Sequence, residues 1–80
     1  MYHVYILRSL IDASQSYIGF TEDMKQRLAH HNAGGSVHTN KYRPWELVTV
    51  ISFAVRERAL EFERYLKSGS GRAFASRHFR

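Results

Sequence analysis

The chain has 80 residues and no cysteine, and 12 lysines and arginines against 7 acidic residues give it a net charge of +5. This length accommodates one domain, residues 1–80, and the lack of cysteine excludes disulfides and thiolate zinc sites. The positive charge favours a polyanionic partner such as DNA, RNA or an anionic membrane surface. No apolar run approaches the roughly 18 residues of a membrane span, and the chain opens on a strand-like pattern, so we expect no membrane-embedded segment and a cytoplasmic protein.

The first part of the chain predicts two strands and a helix. Residues 2–7 and 16–20 are rich in β-branched and aromatic side chains and predict strands joined by a polar hairpin loop. Both faces of the first strand are largely apolar, which is typical of a strand that is covered on both sides. Thr21 is the expected N-cap of a helix that ends near Asn32, before the glycines at positions 34 and 35.

The second part of the chain predicts a third strand and a second helix. A basic loop over residues 34–45 leads into a strand over residues 46–53. The next helix, residues 55–67, is expected to face the core through a stripe of Val55, Ala59, Phe62 and Leu66. The glycines and serines of residues 68–71 are expected to end it, and residues 73–79 predict one further short helix. The order of strands and helices favours an α+β fold.

The first candidates for chemistry are two tyrosines, one on each strand of the predicted hairpin. If the two strands pair, Tyr5 and Tyr17 can lie near each other on one face of the sheet. A phenol can transfer a proton once nearby positive charge favours its ionisation. The alternative is that both tyrosines only pack in the core.

Arg27 and His31 form a second candidate pair on the first helix. They are four residues apart and project from neighbouring turns. An arginine offers a planar fork of donors to a phosphate, and a histidine can donate, accept or transfer a proton at neutral pH. The alternative is a solvated arginine beside a histidine that completes the apolar face formed by Met24 and Leu28.

Glu63 lies at the border of the predicted core stripe of the second helix, where its carboxylate can reach a cleft. A single carboxylate suits Mg²⁺, which keeps several waters and is often held by one or two carboxylates together with a substrate phosphate. The alternative is an ion pair with Lys67, four residues later. Four basic residues suit contacts with a nucleic-acid backbone: Lys41, Arg43, Lys67 and Arg72. Tyr42, which lies between the first two, offers a surface on which a base can stack.

The order of these features resembles the GIY-YIG nuclease superfamily over about residues 2–67, and especially its small stand-alone bacterial members. His-Val-Tyr at residues 3–5 and Tyr-Ile-Gly at residues 17–19 are similar to the two halves of the family signature. Arg27 follows eight residues after the signature glycine, and His31 lies four residues later, where members carry His or Tyr. Glu63 falls on the family's metal-binding glutamate. Those small members are similar to, but separate from, the nuclease subunit of nucleotide excision repair and the homing endonucleases.

The resemblance implies a three-stranded antiparallel sheet with the first strand in the centre, flanked by helices. It also implies an endonuclease that hydrolyses phosphodiester bonds by a one-metal mechanism, in which Glu63 holds one Mg²⁺ or Mn²⁺ and Arg27 neutralises phosphate charge. Tyr5, Tyr17 and His31 are the candidate general bases. The chain departs from the family at His3, where the signature has glycine, and at Phe20, where the repair nuclease has lysine.

Two other classes of function are compatible with the sequence. One is a module of the same fold that binds nucleic acid without cutting it, and the other is a protein-interaction domain whose basic surface is incidental. We expect a nucleic-acid partner, with DNA (single-stranded DNA included) favoured over RNA, and take a monomer as the default state.

Overall fold

The three predicted strands form one antiparallel sheet in the computed structural model, which describes residues 1–79. The first strand, β1 (Tyr2–Ser9), lies between β2 (Ser16–Thr21) and β3 (Trp45–Phe53). Residues 4–7 of β1 are almost completely buried, as its two apolar faces predict. The expected α+β fold with a central first strand is therefore confirmed.

Three helices cover the two faces of this sheet: α1 (Met24–Asn32), α2 (Arg56–Lys67) and α3 (Gly69–His78). One core contains alternate residues of β1, Val4 and Ile6, together with Ala59 and Leu66 of α2 and Ala75 of α3. The opposite face of β1 packs against α1 in a second core. None of the helices within residues 1–79 is long and apolar enough to cross a membrane. The sheet thus carries α1 on one face and α2 and α3 on the other.

The start of α1 differs from the prediction. Thr21 is the last residue of β2, and Asp23 is the N-cap, whose carboxylate accepts a hydrogen bond from the Gln26 backbone N–H at 3.0 Å. The Thr21 hydroxyl is instead engaged with the backbone of Asp23, at 3.1 Å from its nitrogen and 3.2 Å from its oxygen. The expected Thr21 cap is therefore wrong, because its side chain closes the turn before the helix.

The end of α1 follows the prediction more closely. The helix stops at Asn32, and Gly34 adopts a positive φ of 81°, a conformation that glycine reaches without steric cost. The backbone N–H of Gly34 donates to the His31 carbonyl. A short 3₁₀ turn, Asn40–Tyr42, then leads into β3.

Two details of the second half correct the sequence interpretation. Val55 is 51% exposed and precedes α2 in an extended conformation, so the core stripe of α2 consists of the other three residues. α2 ends at Lys67 as predicted, with Ser68 in an extended conformation, but residues 69–71 belong to α3, because Ser68 caps that helix by accepting from the Gly71 backbone N–H at 3.2 Å. Gly71 also packs so closely on the backbone of Tyr65 that a Cβ would overlap it. The third helix therefore begins four residues earlier than predicted.

Candidate active site

Tyr5 and Tyr17 lie on the same face of the β1–β2 hairpin. Tyr5 pairs with Gly19 across the strands, and Tyr17 is two residues from that glycine, so the two side chains point the same way. Their ring centroids are 6.3 Å apart. Because Gly19 has no side chain, the Tyr5 ring and hydroxyl lie directly over its Cα, where a Cβ would overlap them. The predicted proximity of the two tyrosines is confirmed.

His31 projects from α1 into this tyrosine pair and is 1% exposed. Its Nε2 lies 2.9 Å from the Tyr5 hydroxyl, and its Nδ1 lies 2.7 Å from the Thr39 hydroxyl. Its ring also meets Tyr17 edge-on, with centroids 5.1 Å apart. Both ring nitrogens are therefore occupied by protein partners in the interior of the fold.

Thr39 was not predicted to belong to the site. It is fully buried although it lies in the connection between α1 and β3. In the sequence it is one polar residue among several in that loop, without a motif or a charge to mark it. Only the tertiary structure brings its hydroxyl to His31.

The ionisation of Tyr5 and His31 is set mainly by burial. Burial lowers the pKa of His31, and the neighbouring charges of Arg27 and His30 lower it further. Burial raises the pKa of Tyr5 above its usual range, Tyr17 and Glu63 raise it too, and Arg27 acts in the opposite direction. Near neutral pH, His31 is accordingly a neutral imidazole and Tyr5 a neutral phenol.

Arg27 of α1 and Glu63 of α2 act on Tyr5 from different helices. Both side chains lie near enough to Tyr5 to change the pKa of its phenol, with opposite signs. The Glu63 side chain is 18% exposed and forms an ion pair with Lys67 at 3.1 Å, which is the alternative that the sequence offered for this carboxylate. Of the five residues that the sequence singled out for catalysis, Tyr5, Tyr17 and His31 pack together, and the charges of Arg27 and Glu63 act on the Tyr5 phenol.

Two surface clefts open beside this cluster. The first has a volume of about 370 Å³, within the usual range of ligand sites, and is lined by the Tyr17 side of β2, by hairpin residues 14–16 and by Lys67 and Arg72. The second, of about 260 Å³, is lined by Gln26, Arg27 and His30. One cleft thus touches the tyrosine pair and the other touches the arginine.

The four predicted substrate-binding cations fall into two groups. Lys67 and Arg72 line the first cleft, next to Tyr17. Lys41 and Arg43 lie in the loop before β3, where the Lys41 ammonium is 5.3 Å from the centroid of the Tyr42 ring and the Arg43 guanidinium lies against Gly34. The loop cations are exposed but line neither cleft.

The donor atoms of the cluster suit a metal that requires few protein ligands. Within the described part of the chain, no group of three or more histidines and carboxylates could hold an ion by itself. Glu63 offers one partly shielded carboxylate, which is paired with Lys67, a half-exposed residue of the first cleft. A single carboxylate with waters and a substrate phosphate matches the preference of Mg²⁺.

Comparison with known proteins agrees with the geometry. Residues 1–76 match the GIY-YIG catalytic domain. The chain is 48% identical over 69 residues to the structure-specific endonuclease subunit SLX1 of Podospora anserina. The matched region covers 79% of this chain and 20% of that protein. It is 40% identical over 84 residues to the SLX1 subunit of Candida dubliniensis. This matched region covers 96% of this chain and 28% of that protein. The chain therefore spans less than a third of the length of these relatives. With most of its length matched, and with the signature tyrosines paired over Gly19, this chain belongs to the GIY-YIG catalytic domain family.

Proposed function

We propose that this domain is a metal-dependent endonuclease that hydrolyses phosphodiester bonds in nucleic acid, with DNA as the substrate. The observation that carries the proposal is the packing of Tyr5, Tyr17 and His31, with the charges of an arginine and a carboxylate acting on Tyr5 and with Tyr17 on the wall of a cationic cleft. The relatives are named structure-specific endonuclease subunits, which supports both the activity and an assembly with a partner in place of the monomer taken as the default.

Tyr17 is the proposed general base. Of the three candidates, Tyr5 and His31 are buried and bonded to each other, whereas Tyr17 is partly exposed on the wall of the first cleft. A water that attacks the phosphorus in line with the 3′ oxygen gives its proton to the Tyr17 oxygen. This step requires an ionised phenol, a form that positive charge beside a phenol favours in general.

Arg27 and Glu63 are proposed to act on the phosphate. Arg27 donates to the non-bridging oxygens, whose charge grows in the transition state. The Glu63 carboxylate would hold one Mg²⁺ or Mn²⁺, which would supply positive charge to offset the negative charge that develops during hydrolysis. Tyr5 and His31 form the buried floor of the site and keep Arg27 and Tyr17 in position.

Gly19→Ala is expected to lower the cleavage rate about 10²-fold while the protein still folds. The added Cβ would force the Tyr5 ring away from His31, and a displacement of about 1 Å in an active site costs on that order. Single-turnover cleavage and thermal unfolding of the variant measure the two effects. Gly69→Ala is the matched control, because nothing lies within 4 Å of a Cβ at that position. Wild-type cleavage by Gly19→Ala would show that close packing over this glycine is unimportant.

Replacing Lys41, Arg43 or Arg72 with alanine is expected to weaken binding to DNA by the same amount whatever the DNA sequence. Contacts to the backbone carry no sequence information, and each lost phosphate contact should flatten the slope of log affinity against log salt by about 0.7–0.9. Fluorescence anisotropy over a series of salt concentrations gives these slopes. Arg8→Ala is the matched control, since Glu46 already neutralises Arg8 at 2.8 Å. Unchanged slopes for all three variants would place the binding face elsewhere.

A substrate panel tests the proposed function. Labelled single-stranded, double-stranded and branched DNA, and RNA of the same sequence, are incubated with the protein in Mn²⁺ or in EDTA. We expect DNA to be cut only when the metal is present. Salt-dependent binding without any cleavage would support the alternative, a nucleic-acid-binding module on the same fold. Absence of both would support a protein-interaction domain.

A further inference from the structure

A chain of buried hydrogen bonds connects the loop before β3 to the tyrosine pair. The Thr39 hydroxyl lies 2.7 Å from His31 Nδ1, and His31 Nε2 lies 2.9 Å from the Tyr5 hydroxyl. All three side chains are at most 1% exposed, so solvent does not compete for these bonds. Which atom donates and which accepts in each of these hydrogen bonds is therefore decided by neighbouring protein groups and not by water.

Two arrangements of protons satisfy this chain. In the first, the Tyr5 hydroxyl donates to Nε2 and the Nδ1–H of His31 donates to Thr39. In the second, Thr39 donates to Nδ1 and Nε2–H donates to Tyr5, so the Tyr5 proton has to point away from His31. Burial and nearby positive charge keep the pKa of His31 low, so one ring nitrogen carries a proton and the other accepts.

Arg27 decides between the two arrangements. Its guanidinium lies near the Tyr5 oxygen and offers only donors. In the first arrangement the Tyr5 oxygen keeps its lone pairs for Arg27. In the second arrangement both His31 and Arg27 would donate to the Tyr5 oxygen, and the Tyr5 proton would have no acceptor between these two neighbours. The guanidinium therefore favours the form of His31 that carries its proton on Nδ1.

We infer that Thr39 is a positioning residue: it accepts from Nδ1–H, holds His31 in that tautomer, and so keeps the Tyr5 oxygen available as an acceptor for Arg27. The inference rests on the proposed function for its effect on cleavage, but its effect on His31 does not depend on any activity. Nothing in the sequence motif assigns a role to this threonine, because it lies outside both halves of the signature.

The backbone around Thr39 is fixed independently of its hydroxyl. Its carbonyl accepts a hydrogen bond from the Trp45 indole N–H at 2.8 Å. Trp45 is tied to α1 in turn, because its backbone nitrogen and oxygen lie 2.6 and 3.1 Å from the Asn32 side-chain amide. The Thr39→Val substitution removes the hydroxyl and leaves these bonds intact, so it tests the hydroxyl and not the loop.

The experiment combines two readouts on the whole chain. The ¹⁵N chemical shifts of the His31 ring, assigned with a His31→Asn variant, report which nitrogen carries the proton. Single-turnover cleavage reports the effect on the reaction. We expect the Nδ1–H form in the wild type and in Thr39→Ser, a shift toward Nε2–H in Thr39→Val, and a rate that falls about tenfold or more in Thr39→Val and recovers in Thr39→Ser.

Three results would overturn the inference: the Nε2–H form in the wild type, an unchanged tautomer in Thr39→Val, or wild-type cleavage by Thr39→Val. A slower Thr39→Val with an unchanged tautomer would make the threonine merely structural. Thermal unfolding of the three proteins shows how much of any rate loss reflects misfolding. If the wild type cuts nothing, the proposed function fails, whereas the ring shifts still decide the tautomer.

Discussion

Replacing Glu63 with alanine or glutamine is expected to lower the cleavage rate at least about 10³-fold and to leave nucleic-acid binding largely intact. Loss of the metal-binding carboxylate removes several kcal/mol of transition-state stabilisation, and each 1.36 kcal/mol is a factor of ten in rate. Single-turnover rates in Mg²⁺ and in Mn²⁺, measured beside binding constants, give the two effects separately.

Two controls separate the proposed role of Glu63 from its ion pair with Lys67. Glu57→Gln removes an exposed carboxylate from the same helix and should cut at the wild-type rate. The ion pair itself involves a half-exposed lysine, and i, i+4 pairs of this kind contribute only about 0.3–0.5 kcal/mol to stability. Equal activity of Glu63→Gln and wild type would eliminate the proposed metal site. A loss of several kcal/mol in unfolding free energy would instead indicate a structural carboxylate.

Replacing Arg27 is expected to slow turnover more than it weakens binding. A preorganised donor to a phosphate whose charge grows in the transition state is worth about 10²–10³ in rate. Arg27→Lys should recover little of this, because an ammonium does not reproduce the planar two-pronged donor and reaches the Tyr5 oxygen differently. Single-turnover rates and binding constants for the alanine and lysine variants separate the effect on the chemical step from the effect on substrate binding.

Lys25→Ala is the matched control for Arg27, since it removes an exposed cation from the first turn of α1. It should change binding slightly and the rate of the chemical step not at all. If Arg27→Lys cuts at nearly the wild-type rate, or if the loss in Arg27→Ala lies entirely in binding, then Arg27 is an ordinary charge contact and the proposed mechanism is wrong.

The parts of this fold that were predictable from the sequence are those set by local periodicity and by signature spacing. The two apolar faces of residues 2–7 predict a strand that is covered on both sides, and Gly34 marks the end of α1. The spacing between Tyr5 and Tyr17 places both on one face once the hairpin forms, because side chains alternate along a strand. These features depend on only one or two neighbouring elements.

The parts that were not predictable depend on contacts between distant segments. Thr39 is buried against His31 only because Trp45 and Asn32 bring the loop onto α1. The capping role passes from Thr21 to Asp23 because β2 extends by one residue to pair with β1. Which cations line a cleft depends on how α3 follows α2, and this is why Arg72 lies beside Tyr17 and Arg43 does not.

The most direct test of the proposed hydrolysis is a single-turnover reaction in H₂¹⁸O with analysis of the product ends. A water activated at Tyr17 and attacking in line with the 3′ oxygen must leave a 3′-hydroxyl on one fragment and a 5′-phosphate that carries one ¹⁸O on the other. We predict these ends, formed only with a divalent cation. A 3′-phosphate, a cyclic phosphate or a product without ¹⁸O would contradict the proposed chemistry.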